Sequence, residues 1–68
     1  MTPAELRATL AALGWTTRGL ARFLGRPEPS VLNWLSPKRT VPDDVAAWLT
    51  RRLAFHRRMM QDDPPPTA

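Results

Sequence analysis

Little in this chain can catalyse a reaction, but much of it can hold an anion. There is no cysteine and a single histidine, His56, so no thiolate or histidine metal cluster can assemble. No carboxylate pair, Ser/His/Asp set or phosphate-binding glycine loop is present. No enzymatic activity, cofactor or metal is therefore expected. What remains is cationic. Arg7, Arg18, Arg22, Arg26, Lys38 and Arg39 outnumber Glu5 and Glu28 in residues 1–42. In residues 43–68, Arg51, Arg52, Arg57 and Arg58 are matched by Asp43, Asp44, Asp62 and Asp63. The net charge of +4 thus lies wholly in the first part of the chain. A basic surplus favours a polyanion as partner. Its plainer use is solubility, and nine arginines to one lysine also fit a GC-rich coding bias.

The segment that must present these cations is Thr17 to Leu35, TRGLARFLGRPEPSVLNWL. Leu20, Ala21 and Leu24 share one helical face, and Val31, Trp34 and Leu35 resume it after Gly25. A large side chain at Ala21 would push the two helices apart. Gly25 can take the positive φ of a sharp turn. The pattern predicts two helices across a tight bend, the arrangement of a helix-turn-helix. An ordinary helical hairpin without a ligand is the bland alternative.

The surrounding elements complete an all-α bundle of four helices. Thr2 as cap, Pro3 at the first position and Glu5 in a capping box start the first helix. Leu6, Leu10 and Leu13 form its apolar stripe, and Gly14 ends it. Trp15 is expected to drop into the core between the first two helices. The second helix runs from a Thr16 cap to about Leu24, with Gly19 inside it costing roughly 1 kcal/mol relative to alanine. The third starts between Pro27 and Pro29, with Glu28 as cap and Pro29 as first helical residue, and ends near Leu35. Ser36 and Pro37 stop it, and residues 36–41 form a basic loop. Pro42 opens the fourth helix, with Asp43 and Asp44 in its first turn and Arg57 and Arg58 toward its C-terminus, both suited to the dipole. Its inner stripe is Val45, Trp48, Leu49 and Leu53. The domain is expected to span 1–61, with a disordered Pro-rich tail over 62–68.

Leu20, Ala21, Leu24, Gly25, Val31, Trp34 and Leu35, preceded by the run LGWTTRGLA, resemble the Cro/C1-type (lambda-repressor-like, XRE) helix-turn-helix family of phage and bacterial regulators. The resemblance covers about residues 2–55. It implies a bundle of four or five helices that binds palindromic double-stranded DNA operators as a homodimer. It puts Glu28, Pro29, Leu32 and Asn33 toward the bases, and Thr17, Arg18, Ser30, Lys38 and Arg39 on backbone phosphates. Three positions depart from the family pattern. Arg26 stands where an aliphatic residue is usual after the turn glycine, Pro27 replaces a polar cap, and Pro29 occupies a base-reading position without a donor. Among the rest, Asn33 can pair with adenine N6 and N7. Glu28 can accept from cytosine N4 or serve only as a cap. Leu32 can touch a thymine methyl or pack against another protein segment.

Trp15, Trp34 and Trp48 could stack on bases, but their helical spacing favours the core. Phe23 lies off the Leu20/Ala21/Leu24 face, either partly exposed or covered by the fourth helix or a second subunit. The fourth helix carries a second apolar stripe, Trp48, Phe55 and Met59, with Met60 nearby. One helix cannot bury both stripes against a three-helix core, so Phe55, Met59, Met60 and, more weakly, Phe23 are the expected dimer contacts. The expected function is a sequence-specific transcriptional regulator, most simply a repressor that occludes RNA polymerase. The alternative is a protein-interaction module, an antitoxin or adaptor, using the apolar face of the fourth helix. No apolar run approaches the roughly 20 residues of a membrane span. MTPAELR lacks the apolar region of a signal peptide, so a cytoplasmic location is expected.

Overall fold

Local capping chemistry sets most of the helix boundaries. The computed structural model describes residues 1–66 and contains four helices: α1 (Pro3–Leu13), α2 (Thr17–Leu24), α3 (Glu28–Asn33) and α4 (Asp43–Asp62). No strand occurs among the described residues. At the start of α1, the Glu5 backbone N–H donates to Thr2 Oγ1 at 3.1 Å, and the Thr2 N–H donates to Glu5 Oε1 at 3.2 Å. This reciprocal pair is the expected capping box. The Thr2 backbone N–H, followed by its hydroxyl, holds the Glu5 carboxyl below its ordinary pKa. α1 and α2 then end in the same way. Gly14 and Gly25 take φ of 73° and 63°, and the next residue's N–H reaches back to Leu10 O at 2.9 Å and to Ala21 O at 3.0 Å. These are Schellman closures, which favour glycine because a Cβ is strained at positive φ. Thr16 caps α2 by accepting from the Gly19 N–H at 2.9 Å.

The third helix departs by one residue from the expectation. Pro27 is the cap and Glu28 the first helical residue, so Pro29 falls at the second position. Pro29 is tolerated there because a donor in the first turn has no intrahelical acceptor. The Ser30 N–H makes the first closure, to Pro27 O at 3.0 Å. The α-helix stops at Asn33 rather than near Leu35. Trp34, Leu35 and Ser36 donate three residues back at 3.0–3.1 Å, so the coil tightens before it ends.

α4 also differs at its ends. Pro42 is its cap, one residue ahead of the first helical position, and Asp43 and Asp44 occupy the first turn as expected. Arg57 and Arg58 fall short of the last turn, which holds no basic residue, so the expected dipole complement at that end is missing. Asp62 is still helical, which moves the start of the tail past 62. Pro64 lacks an N–H and disfavours helical angles in the residue before it, and Asp63 accordingly turns out at φ −143°. Residues 64–66 have no regular structure, and the last part of the expected tail, Thr67 and Ala68, lies outside the described residues.

The core joins two helix pairs, α1 with α4 and α2 with α3. Leu6, Leu10, Leu13, Leu20, Ala21, Val31, Trp34, Val45 and Leu49 are buried, as the apolar stripes predict. Leu24 and Leu53 are only half-buried. Two tryptophans are corrections. Trp15 and Trp48 are half-buried at the rim, where they pack with Phe23 at ring-centroid distances of 4.7–6.5 Å. The aliphatic side chains of α1, α2 and α4 already fill the space between those helices, so the indoles lie across its edge. Phe23 remains 63% exposed despite these contacts. Val41, at the end of the basic loop, is in the core with 3% exposure. Thr9 is buried too, its hydroxyl donating to Glu5 O at 2.8 Å.

Two outcomes follow. Ala21 is 4% exposed, so Ala21→Leu overpacks the region between α2 and its neighbours and costs about 1–3 kcal/mol in a thermal melt. An unchanged melting temperature would contradict its burial. Glu5 has a lowered folded pKa, so its contribution is present above the unfolded value and lost as pH falls through the folded one. Glu5→Gln therefore removes that contribution at neutral and alkaline pH, flattens part of the acid limb of the stability–pH curve, and has least effect at the acid extreme.

Candidate nucleic-acid interface

The buried indole of Trp34 forms the floor of a groove on the α3 side of the molecule. Arg26, Ser30, Asn33, Lys38, Arg39 and Thr40 line the rest of this space of about 480 Å³. Three cations and three neutral polar side chains surround it, and no carboxylate lines it. Such a composition suits a phosphate-bearing ligand, whose anionic oxygens accept from guanidinium, ammonium, hydroxyl and amide donors.

Each wall has a local cause. Arg26 follows Gly25, and its N–H closes the end of α2, which fixes where its side chain leaves the backbone. Its guanidinium carbon lies 5.5 Å from the centroid of the Trp34 ring, a cation–π distance. Ser30 and Asn33 stand three apart on α3 and so share a face. The loop that carries Lys38 and Arg39 is tied at both ends. The Arg39 N–H donates to Ser36 O at 3.1 Å, and the Lys38 N–H to Ser36 Oγ at 3.5 Å. At the far end Val41 is buried. From behind, Arg7 of α1 donates to Leu35 O at 3.4 Å, which anchors the chain just past α3.

Of the residues expected to touch nucleic acid, this groove gathers Ser30, Asn33, Lys38 and Arg39. Arg18 and Glu28 are engaged with each other, Arg18 Nε donating to Glu28 Oε2 at 3.1 Å. Glu28 is therefore an ion-pair partner in the free protein and not the cap of α3. Pro29 is exposed and Leu32 is 47% exposed, both outside the groove lining, and Thr17 is half-buried. Arg26 and Thr40 join the site without having been expected. Arg26 had a legible signal, a cation directly after a turn glycine, but its association with Trp34 depends on how α3 folds back. Among the described residues no cluster of His, Cys, Asp or Glu could hold a metal, and no helix is long and apolar enough to cross a membrane. Comparison with protein-family models, curated proteins and solved structures finds no match to this chain.

The two supports of the site should differ in energetic weight. The Arg18 side chain is 73% exposed, so breaking its ion pair with Glu28→Gln should change stability by less than about 1 kcal/mol. Val41→Ala opens a void beneath the loop and should cost about 2 kcal/mol. Urea denaturation measures both, and faster exchange of the Arg39 amide proton in the Val41 variant reports the loosened loop. Equal costs would mean that Val41 does not hold the loop.

Proposed function

We propose that this protein binds double-stranded DNA, with α2, the Gly25 turn and α3 acting as a helix-turn-helix and α3 entering the major groove. The observation that carries this reading is the carboxylate-free groove of Arg26, Lys38 and Arg39 beside the outward face of α3. Phosphates of one strand would take Lys38, Arg39, Arg26 and Ser30, with Thr17 and Arg18 on the other side of the turn. Asn33 and Leu32 would face the base edges, where the amide can pair with adenine and the Leu32 methyls can meet a thymine methyl. Pro29 would offer shape alone, because it has no donor.

The Arg18–Glu28 pair gives this reading a specific electrostatic feature. A phosphate approaching Arg18 competes with Glu28 for the same guanidinium. If Arg18 turns to phosphate, Glu28 is left to accept from a cytosine N4 or to repel the backbone. Sequence preference near the start of α3 would follow from that exchange. A protein that occupies a short site in this way would act on transcription, most simply as a repressor that blocks RNA polymerase.

Selection of bound sites from a random DNA library supplies the preferred sequence, and titrations on it test the reading. Affinity should fall steeply with added salt. Arg39→Ala should weaken all sequences alike and flatten the salt slope by about one unit. Asn33→Ala should cost roughly 1–3 kcal/mol on the preferred site and little on random DNA. A salt-independent affinity, or no binding to any duplex, overturns the proposal.

A further inference from the structure

The molecule measures 41 × 19 × 18 Å along its principal axes. α4 accounts for the long dimension, because 20 helical residues span about 30 Å. From Ala54 to Asp62 every residue of α4 except the half-buried His56 is exposed. This projecting half is not polar. Phe55 is 54% exposed and Met59 is 50% exposed. At 100° per residue, Trp48, Arg52, Phe55, Met59 and Asp62 fall within an arc of about 80°. Met60 points about 100° away from Met59 and lies off this seam.

The seam complements itself when reversed. Reading α4 outward from Arg57 in both directions meets Phe55 and Met59 at equal steps. The next charged residues are Arg51 and Arg52 on one side and Asp62 and Asp63 on the other. We propose that two copies of this chain pair antiparallel through the C-terminal half of α4, with Phe55 of each copy against Met59 of the other. Arg51 then lies beside Asp62 of the second copy, and Arg52 beside Asp63. The contact is isologous, each residue pair occurring twice about one two-fold axis. Arg58 flanks the seam, and Asp62 one turn further along its own helix offsets its charge.

Two observations select a second copy as the occupant. The charge pattern is complementary to its own reverse, which an unrelated apolar partner would not require. The aromatic cluster of half-buried Trp15 and Trp48 with exposed Phe23 also continues the seam at its Trp48 end. In the antiparallel arrangement that end meets the point where the second copy's chain leaves α4 at Asp63 and runs into three prolines. The pocket between Trp48, Arg51, Arg52 and Phe55, about 340 Å³, opens on the same face. Arg52 is already held there, its guanidinium carbon 5.4 Å from the Trp48 ring centroid. The pairing stands on α4 alone and does not depend on the DNA-binding reading.

Sedimentation equilibrium of the full chain without DNA tests it. The wild type should dimerise at micromolar concentration. Joint reversal of Asp62→Arg and Asp63→Arg should raise the dimer Kd roughly tenfold or more. Adding Arg51→Asp and Arg52→Asp to that variant should restore the dimer, because the ion pairs re-form with their signs exchanged. Phe55→Glu should give a monomer with the helical circular dichroism of the wild type. A wild type that stays monomeric, a dimer indifferent to the charge reversal, or a swap that restores nothing overturns the pairing. DNA titration of the same samples separates the two readings. A monomer that binds duplex removes only the pairing, and a dimer that binds none removes only the DNA interface.

Discussion

Everything on the α3 side of the molecule depends on one backbone conformation, the left-handed turn at Gly25. At φ 63° the chain leaves α2 and enters α3 within three residues, and the Arg26 N–H to Ala21 O bond closes the end. A residue with a Cβ would be strained there. Because the turn is so short, α3 must fold back onto α2. Val31 and Trp34 are then driven into the core, while Leu32 and Asn33 face out. The same turn delivers Arg26 over the Trp34 ring. One torsion therefore sets which face of a six-residue helix is buried and which is offered to a partner.

A helix as short as α3 has little stability of its own. It is held by what surrounds it: two buried side chains beneath, the Arg18–Glu28 pair at its start, and Arg7 at the carbonyl just past its end. The loop after it is fixed by the burial of Val41, not by its charges. Lys38 and Arg39 are thereby kept near α3 at no cost in burying a cation. A rigid scaffold carrying solvated cations is what binding to a polyanion asks for, since the charges need not be desolvated until the partner arrives.

The distribution of charge and apolar surface divides the molecule in two. The net positive charge lies before residue 43, and the exposed apolar strip lies after it. The two proposed interfaces consequently use different chemistry. The groove at α3 is polar and salt-sensitive, and the α4 seam is apolar with charges of both signs at its ends. A change at one need not disturb the other, because α3 packs on α2 whereas α4 packs on α1.

Features that depend on a few consecutive residues are legible in the sequence alone. The Thr2/Glu5 capping box, the Thr16 cap, both glycine terminations and the inner faces of α1, α2 and α4 involve partners three to five residues apart, and local geometry alone brings them together. Ser30, Asn33, Lys38 and Arg39 were candidates through the family resemblance, which also named Thr17, Arg18, Glu28, Pro29 and Leu32, residues that do not line the groove. The start of α3 was misread by one residue, because Pro27 and Pro29 each suit two neighbouring positions. Distant contacts were not legible. Trp15 and Trp48 have core-like spacing, yet they lie at the rim because other chain segments fill the interior first. Val41 reads as a loop residue but is buried, because the end of the loop packs into the same apolar cluster as the helices. The Arg18–Glu28 pair and the Arg26–Trp34 contact join residues across the turn, and their formation depends on the angle at which α3 returns. Sequence sets what each segment can do locally. Competition among segments for a limited interior sets which side chains are covered, and only the tertiary structure decides that.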